Sequence, residues 1–251
     1  MGKILAVVNQ KGGVGKTTSA VNLTAALTEA GKRVLLCDFD PQANATSGLG
    51  VEKRKLHRSV YDVVIDEATA ESAIVHTEFG DVLPSSADLA GAAIELISLP
   101  DSNYRLKKAL ESVRGNYDYI LIDCPPSLEL LTLNGLAAAD SVLVPMQCEY
   151  FALEGITLLL QTVQKVQKEI NPSLTIGGIF FTMYDARTRL AQDVVLQVKS
   201  YFKEVVFNTI IPRNVRLSEA PSHGLPICKY DPDCVGARSY AKLAEEVIRR
   251  G

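Results

Sequence analysis

Apolar positions along this chain follow two alternating rhythms. Short runs that stay apolar at successive positions predict strands buried on both faces: Lys3–Val8, Arg33–Cys37, Tyr119–Ile122, Asp140–Pro145, Leu174–Phe181 and a last one within Val205–Ile211. Between them, apolar residues recur at helical spacing over Thr17–Ala30, Tyr104–Val113, Leu128–Ala139, Ala152–Ile170, Leu190–Phe202 and Ser239–Arg250. Gly31 stands where a helix would need a left-handed residue to stop. The alternation predicts an α/β fold, a single doubly wound, mostly parallel sheet with helices on both faces. No repeat, low-complexity tract or linker interrupts it, so residues 1–251 are expected to form one domain.

Composition narrows this picture. With 47% hydrophobic and 22% charged residues, the chain has the makeup of a water-soluble globule rather than of a disordered or fibrous protein. Its apolar runs, such as Ile4–Val8, are far shorter than the roughly 18 residues that cross a bilayer, and the first strand starts too early for a secretion signal. The five cysteines show no CxxC pair, which points to a reducing compartment and a cytoplasmic location. Charge is uneven: residues 1–179 hold 15 Lys/Arg against 21 Asp/Glu, whereas residues 180–251 hold 11 against 8. A mildly acidic protein can thus present a basic face from its C-terminal third.

The strongest chemical signal is NQKGGVGKTT, Asn9–Thr18, between the first strand and the first helix. A glycine-rich loop at a helix N-terminus aims backbone N–H groups and a partial positive charge at phosphate oxygens. Gly12, Gly13 and Gly15 permit close backbone approach, with Val14 between them; Lys16 can reach the β- and γ-phosphates. The Thr17 hydroxyl is placed to ligate Mg²⁺, and Thr18 follows it into the helix. The usual GxxxxGK[ST] pattern would place glycine at position 10; here stands Gln10, followed by a second lysine, Lys11. A tight turn alone would need the glycines but not two lysines.

Two further strand ends carry acids. Asp38 and Asp40 close the second strand (CDFDPQ), where a carboxylate could hold Mg²⁺ through water or orient an attacking water. The apolar YILID ends in Asp123, the Walker B pattern, whose carboxylate would accept hydrogen bonds from Mg²⁺-bound water.

Together these residues give the chain a family likeness. KGGVGKTT resembles the deviant Walker A motif of the ParA/MinD superfamily of P-loop ATPases, and DFDPQANAT (Asp38–Thr46) and DCPPS are similar to its two switch segments. The likeness continues through Cys148–Gly155, Phe181–Leu190 and Ile210–Ile227, and points to the chromosome-partitioning ParA subgroup, often called Soj. The resemblance implies an ATPase using ATP and Mg²⁺, with Lys11 crossing to the partner subunit's ATP in a sandwich homodimer. It implies that Asp40 positions the hydrolytic water, that Asp38 orders the loop or joins the metal shell, and that Met183 and Pro212 frame the adenine. It further implies non-specific binding of double-stranded DNA through Arg189 and Arg216, a ParB/Spo0J-type partner that accelerates hydrolysis, and nucleoid association.

Departures from other branches refine the expectation. Leu243, Val247 and Ile248 form an apolar stripe expected to pack on the sheet rather than on a membrane. Cys124 and Cys148 lack the surroundings of an iron–sulfur site and are read as inert thiols. With the phosphate loop at residue 9 there is no room before it for a helix-turn-helix, so operator reading is not expected. The competing reading is a P-loop regulator or small-molecule kinase without DNA affinity.

Overall fold

The computed structural model describes residues 1–127 and 129–250, with Ala93 described by its backbone alone. In chain order the elements are β1 (Lys3–Val7), α1 (Lys16–Glu29), β2 (Val34–Asp38), α2 (Asn44–Gly48), α3 (Val60–Val64), α4 (Ala70–Ala73), β3 (Asp81–Leu83) and α5 (Leu89–Ile97). They continue with α6 (Arg105–Glu111), β4 (Tyr119–Asp123), α7 (Leu130–Ala138), β5 (Ser141–Gln147), α8 (Ala152–Glu169), β6 (Thr175–Tyr184), α9 (Arg189–Phe202), β7 (Val206–Pro212), α10 (Val215–Glu219), α11 (Ile227–Tyr230) and α12 (Val235–Arg250).

The seven strands form one sheet in the order β3-β2-β4-β1-β5-β6-β7, and every neighbouring pair is parallel. Alternate residues of each strand feed separate cores. Ile4, Ala6, Leu35, Ile120 and Val142 face one layer of helices, and Leu5, Val7, Leu36, Leu121 and Leu143 face the other, where α1 and α12 pack together. Burial on both faces explains the unbroken apolar runs. The stripe of Leu243 and Val247 is buried in this second core, with Ile248 packed against it, so it faces the sheet as expected.

Element ends follow local chemistry. Helix α1 stops in a Schellman motif: Gly31 takes φ +77°, its N–H bonds the Thr28 carbonyl, and Lys32 N–H bonds that of Leu27. The sequence pattern missed β3 and the helices α2 to α5, α10 and α11. These are short, and β3 has only three residues, too few to show a periodicity. Helix α12 also begins four residues before the predicted Ser239. The predicted start of α7, Leu128, lies outside the described residues, as does Gly251.

Candidate functional site

Strand β1 lies at the middle of the sheet with β4 on one side and β5 on the other, and its carboxyl end opens into the glycine loop. In open parallel sheets this reversal point is where a ligand finds a crevice. Gly13 and Gly15 adopt φ +73° and +85°, left-handed values that other side chains resist. A Cβ on Gly12 would meet nothing within 4 Å, so the protein itself does not require glycine there. Val14 is buried and its carbonyl accepts a 2.8 Å bond from Thr182 Oγ1, which anchors the loop to β6.

The two lysines are treated differently. Lys16 is buried, with Nζ donating to the Lys11 carbonyl at 3.0 Å across the loop. Burial lowers its pKa, opposed by the nearby carboxylates of Asp123 and Asp40. Lys11 stays half-exposed, and its ammonium is bonded to the Glu149 carboxylate ahead of α8.

Asp38 and Asp123 are register partners on neighbouring strands β2 and β4, and both are fully buried. Burial raises the pKa of each. Their surroundings differ. Asp38 Oδ2 accepts from the Thr46 N–H and Thr46 Oγ1, both at 2.7 Å, and Oδ1 accepts from the Asp40 N–H at 3.3 Å. It therefore orders the loop that carries Asp40 and is saturated within the chain. Asp123 has neither oxygen hydrogen-bonded; the Thr17 hydroxyl lies near enough to favour its ionised form without a bond of good geometry. A buried carboxylate left unsatisfied is costly, and a hydrated cation beside Thr17 would satisfy it. The donor set thus fits Mg²⁺ held by Thr17, by phosphate oxygens and, through water, by Asp123. Asp40 is partly exposed at the cleft, its Oδ1 accepting from Gln42 N–H at 2.9 Å.

A cavity of about 450 Å³ opens beside the loop, lined by Gly15, Thr18, Met183, Pro212, Asn214 and Tyr240 among others. Met183 and Pro212 thus reach the same hollow from the ends of β6 and β7. Met183 sits at φ +49°, strained for a non-glycine residue, and its sulfur accepts from Gln147 Nε2 at 3.0 Å. Tyr240 OH and Ser19 Oγ, 3.0 Å apart, tie α12 to the helix behind the loop.

The two expected DNA residues are not alike. Arg189 opens α9 with its side chain 94% exposed and only a 3.9 Å approach to Asp193. Arg216 is held by Glu219 at 2.9 Å and Asp231 at 3.3 Å, so much of its charge is already balanced. Burial raises the pKa of both candidate thiols, Cys148 to about 11, in keeping with inert cysteines. Among the described residues no helix is long and apolar enough to cross a membrane. Glu149, Thr46, Gln147 and Tyr240 were not singled out from sequence. Glu149 and Thr46 lay in segments already marked by family likeness, but nothing in their spacing tied Glu149 to Lys11 or Thr46 to Asp38.

A glycine loop after the central strand, a buried lysine and an unsatisfied carboxylate at the next strand end define a P-loop nucleotide-hydrolysing fold. The model of the AAA domain family matches residues 2–176. The chain is 61% identical to the chromosome-partitioning ATPase Soj of Treponema pallidum, over 100% of this chain and 98% of that protein. It is 58% identical to the sporulation initiation inhibitor protein Soj of Bacillus subtilis, over 100% of both. Among solved structures it is similar to cobyrinic acid a,c-diamide synthase from Mycobacterium smegmatis with bound ATP analogue and magnesium. That likeness has a TM-score of 0.87 and 41% identity over 99% of this chain and 95% of that one. The chain belongs to the Soj/ParA family of chromosome-partitioning ATPases.

Proposed function

We propose that this chain is a DNA-partitioning switch whose ATP-bound form is a sandwich homodimer on non-specific double-stranded DNA, released by hydrolysis. ATP and Mg²⁺ are its cofactors. The observation that carries the reading is the division of labour between two lysines of one loop. Lys16 is buried inside its own phosphate cradle, while Lys11 points outward and is half-exposed. A cation on the open face of a phosphate loop suits a γ-phosphate presented by a second subunit.

The loop amides from Lys11 to Thr18 hold the phosphates, Thr17 and Asp123 hold the hydrated Mg²⁺, and Met183 and Pro212 flank the adenine. Bound there, the metal neutralises charge on the transferred phosphoryl group. Asp40, kept in place by the Asp38–Thr46 anchor, orients the attacking water. Each subunit supplies only a few cations for phosphate contacts, foremost Arg189, with Arg216 as a second position once its acidic partners yield. Pairing two subunits doubles the contacts, and because log affinity scales with their number, DNA binding becomes conditional on ATP. A ParB/Spo0J-type protein accelerates the slow intrinsic hydrolysis, the dimer parts, and the DNA is released. The whole chain acts as one ATPase unit, cytoplasmic and nucleoid-associated.

The likeness to a cobyrinic acid synthase favours a second reading, an enzyme acting on a small acceptor. Gel shift on arbitrary DNA with ATP, ADP or no nucleotide separates the two. A shift only with ATP supports the switch; no shift under any condition, with ATP turned over, supports the enzyme.

A further inference from the structure

The least expected surface lies away from the nucleotide. Residues 59–101, from α3 through α5, contain nine Asp and Glu and no Lys or Arg. All but Asp62 and Asp81 are exposed. Across this stretch α5 presents an apolar ridge to solvent: Ala90, Ile94 and Ile97 share one side by helical spacing, and the two isoleucines are 77% and 73% exposed. The opposite side, Leu89, Ala92 and Leu96, is buried against α3. An aliphatic ridge left in water costs stability without a packing return, which marks a docking surface rather than a solvated face.

The rim says what docks. Tyr61 of α3 bonds the Glu95 carboxylate of α5 through its hydroxyl, at 3.2 Å to Oε2, beside the ridge. Glu95, Glu67 and Asp88 all lie close enough to this phenol to push its pKa up, after burial. Glu95 of α5, Asp88 just before that helix and Glu67 in the chain after α3 thus gather around the Tyr61 phenol. The described ion pairs of the stretch with cations elsewhere in the chain are Asp66 with Arg105 and Glu78 with Lys229, leaving the gathered three free of a cation. Such a rim repels DNA phosphates, anionic lipid and a second copy of itself. It attracts a segment that alternates Lys or Arg with apolar side chains.

We propose that the α3–α5 face is the docking site for a basic, amphipathic segment of the protein that accelerates hydrolysis. The ridge takes its apolar side chains, and Glu67, Asp88 and Glu95 its cations. This rests on the reading above that such an accelerating partner exists. It adds a place of contact remote in sequence from the phosphate loop.

The test uses the full-length chain with DNA, ATP and the ParB-type protein of the same cell. Ile94→Lys combined with Ile97→Lys should reduce partner-stimulated hydrolysis from at least tenfold to under twofold over basal. Basal hydrolysis, ATP affinity and melting temperature should stay as in wild type. Glu95→Lys, on an exposed side chain, should raise the half-stimulating partner concentration severalfold, and it decides the matter if the double variant fails to fold. For the wild type, that concentration should rise with salt between 50 and 200 mM. A stimulated wild type with equally stimulated variants overturns the surface alone. A wild type that the partner neither binds nor stimulates overturns the partner reading and the surface with it.

Discussion

The Lys11 ammonium is bonded to the Glu149 carboxylate of its own subunit, 138 residues away in sequence. The contact joins the phosphate loop to the start of α8 and holds the cation that a partner's ATP would otherwise claim. Both side chains are about half-exposed, so the pair is worth at most about 1 kcal/mol. Glu149→Gln should therefore lower the ATP or protein concentration for dimerisation by no more than about fivefold. Lys11→Ala should bind ATP and remain monomeric. Light scattering with ATP checks both, and a Lys11→Ala dimer removes the trans role.

Lys16 is buried in the cradle, and its loss leaves the phosphates without their nearest cation. Lys16→Ala should weaken ATP by about 100-fold, since charge-assisted hydrogen bonds contribute about 1.5–3 kcal/mol each. Calorimetric titration measures this directly. Unchanged affinity would contradict the phosphate-loop assignment.

Thr46 donates to Asp38 through its hydroxyl at 2.7 Å and accepts from Ser85 N–H at 3.0 Å. Thr46→Val keeps the shape but removes both bonds, loosening the loop that carries Asp40. Hydrolysis at saturating ATP should fall about tenfold with ATP affinity nearly unchanged, and Thr46→Ser should recover most of it. Asp40→Ala, which takes away the water-orienting group itself, should trap an ATP dimer on DNA. Sizing that variant with ATP and ADP, with and without DNA, is the direct check.

Arg189 is almost fully exposed and weakly paired, whereas Arg216 is held by two carboxylates. Arg189→Glu should preserve the dimer and abolish most DNA affinity. Arg189→Ala should reduce the slope of log affinity against log salt by roughly two per dimer, one for each lost phosphate contact. Arg216→Ala should have the smaller effect. Equal effects would show that Arg216 leaves its partners on binding.

Glu246 of α12 closes the exposed edge of the sheet by accepting from the Asn208 and Thr209 N–H groups at 2.8 and 3.0 Å. Burial alone would raise its pKa, but these N–H groups and Arg250 outweigh it and hold the carboxyl below its usual value. A carboxyl whose folded pKa is lowered adds stability above its unfolded value, and that stability is lost as pH falls through the lowered one. Glu246→Gln should cost about 1–2 kcal/mol at pH 7. The gap from wild type should shrink as pH falls below the ordinary glutamate value of about 4.3. It should be smallest below the lowered folded value, where the wild-type carboxyl is uncharged as well. Denaturant melts across pH measure it.

Much of this protein could be read from residue order alone. The strand runs, the helix–glycine stop at Gly31 and the phosphate loop are local: each depends on neighbours within a few residues, so the pattern carries them. The acids Asp38, Asp40 and Asp123 were legible because they end apolar runs, and in a parallel sheet those ends share one edge. Whether Asp38 orders the loop or joins the metal shell was not legible. That Asp38 is saturated by Thr46 while Asp123 is left open follows from register and from where α2 folds back over β2. Lys11 facing Glu149 joins residues that strand order brings together, and Arg216 meets Asp231 only where α10 packs on α11. The isoleucine ridge lies on α5, a helix that the sequence pattern missed. Only packing reveals which of its sides the core had no room to cover.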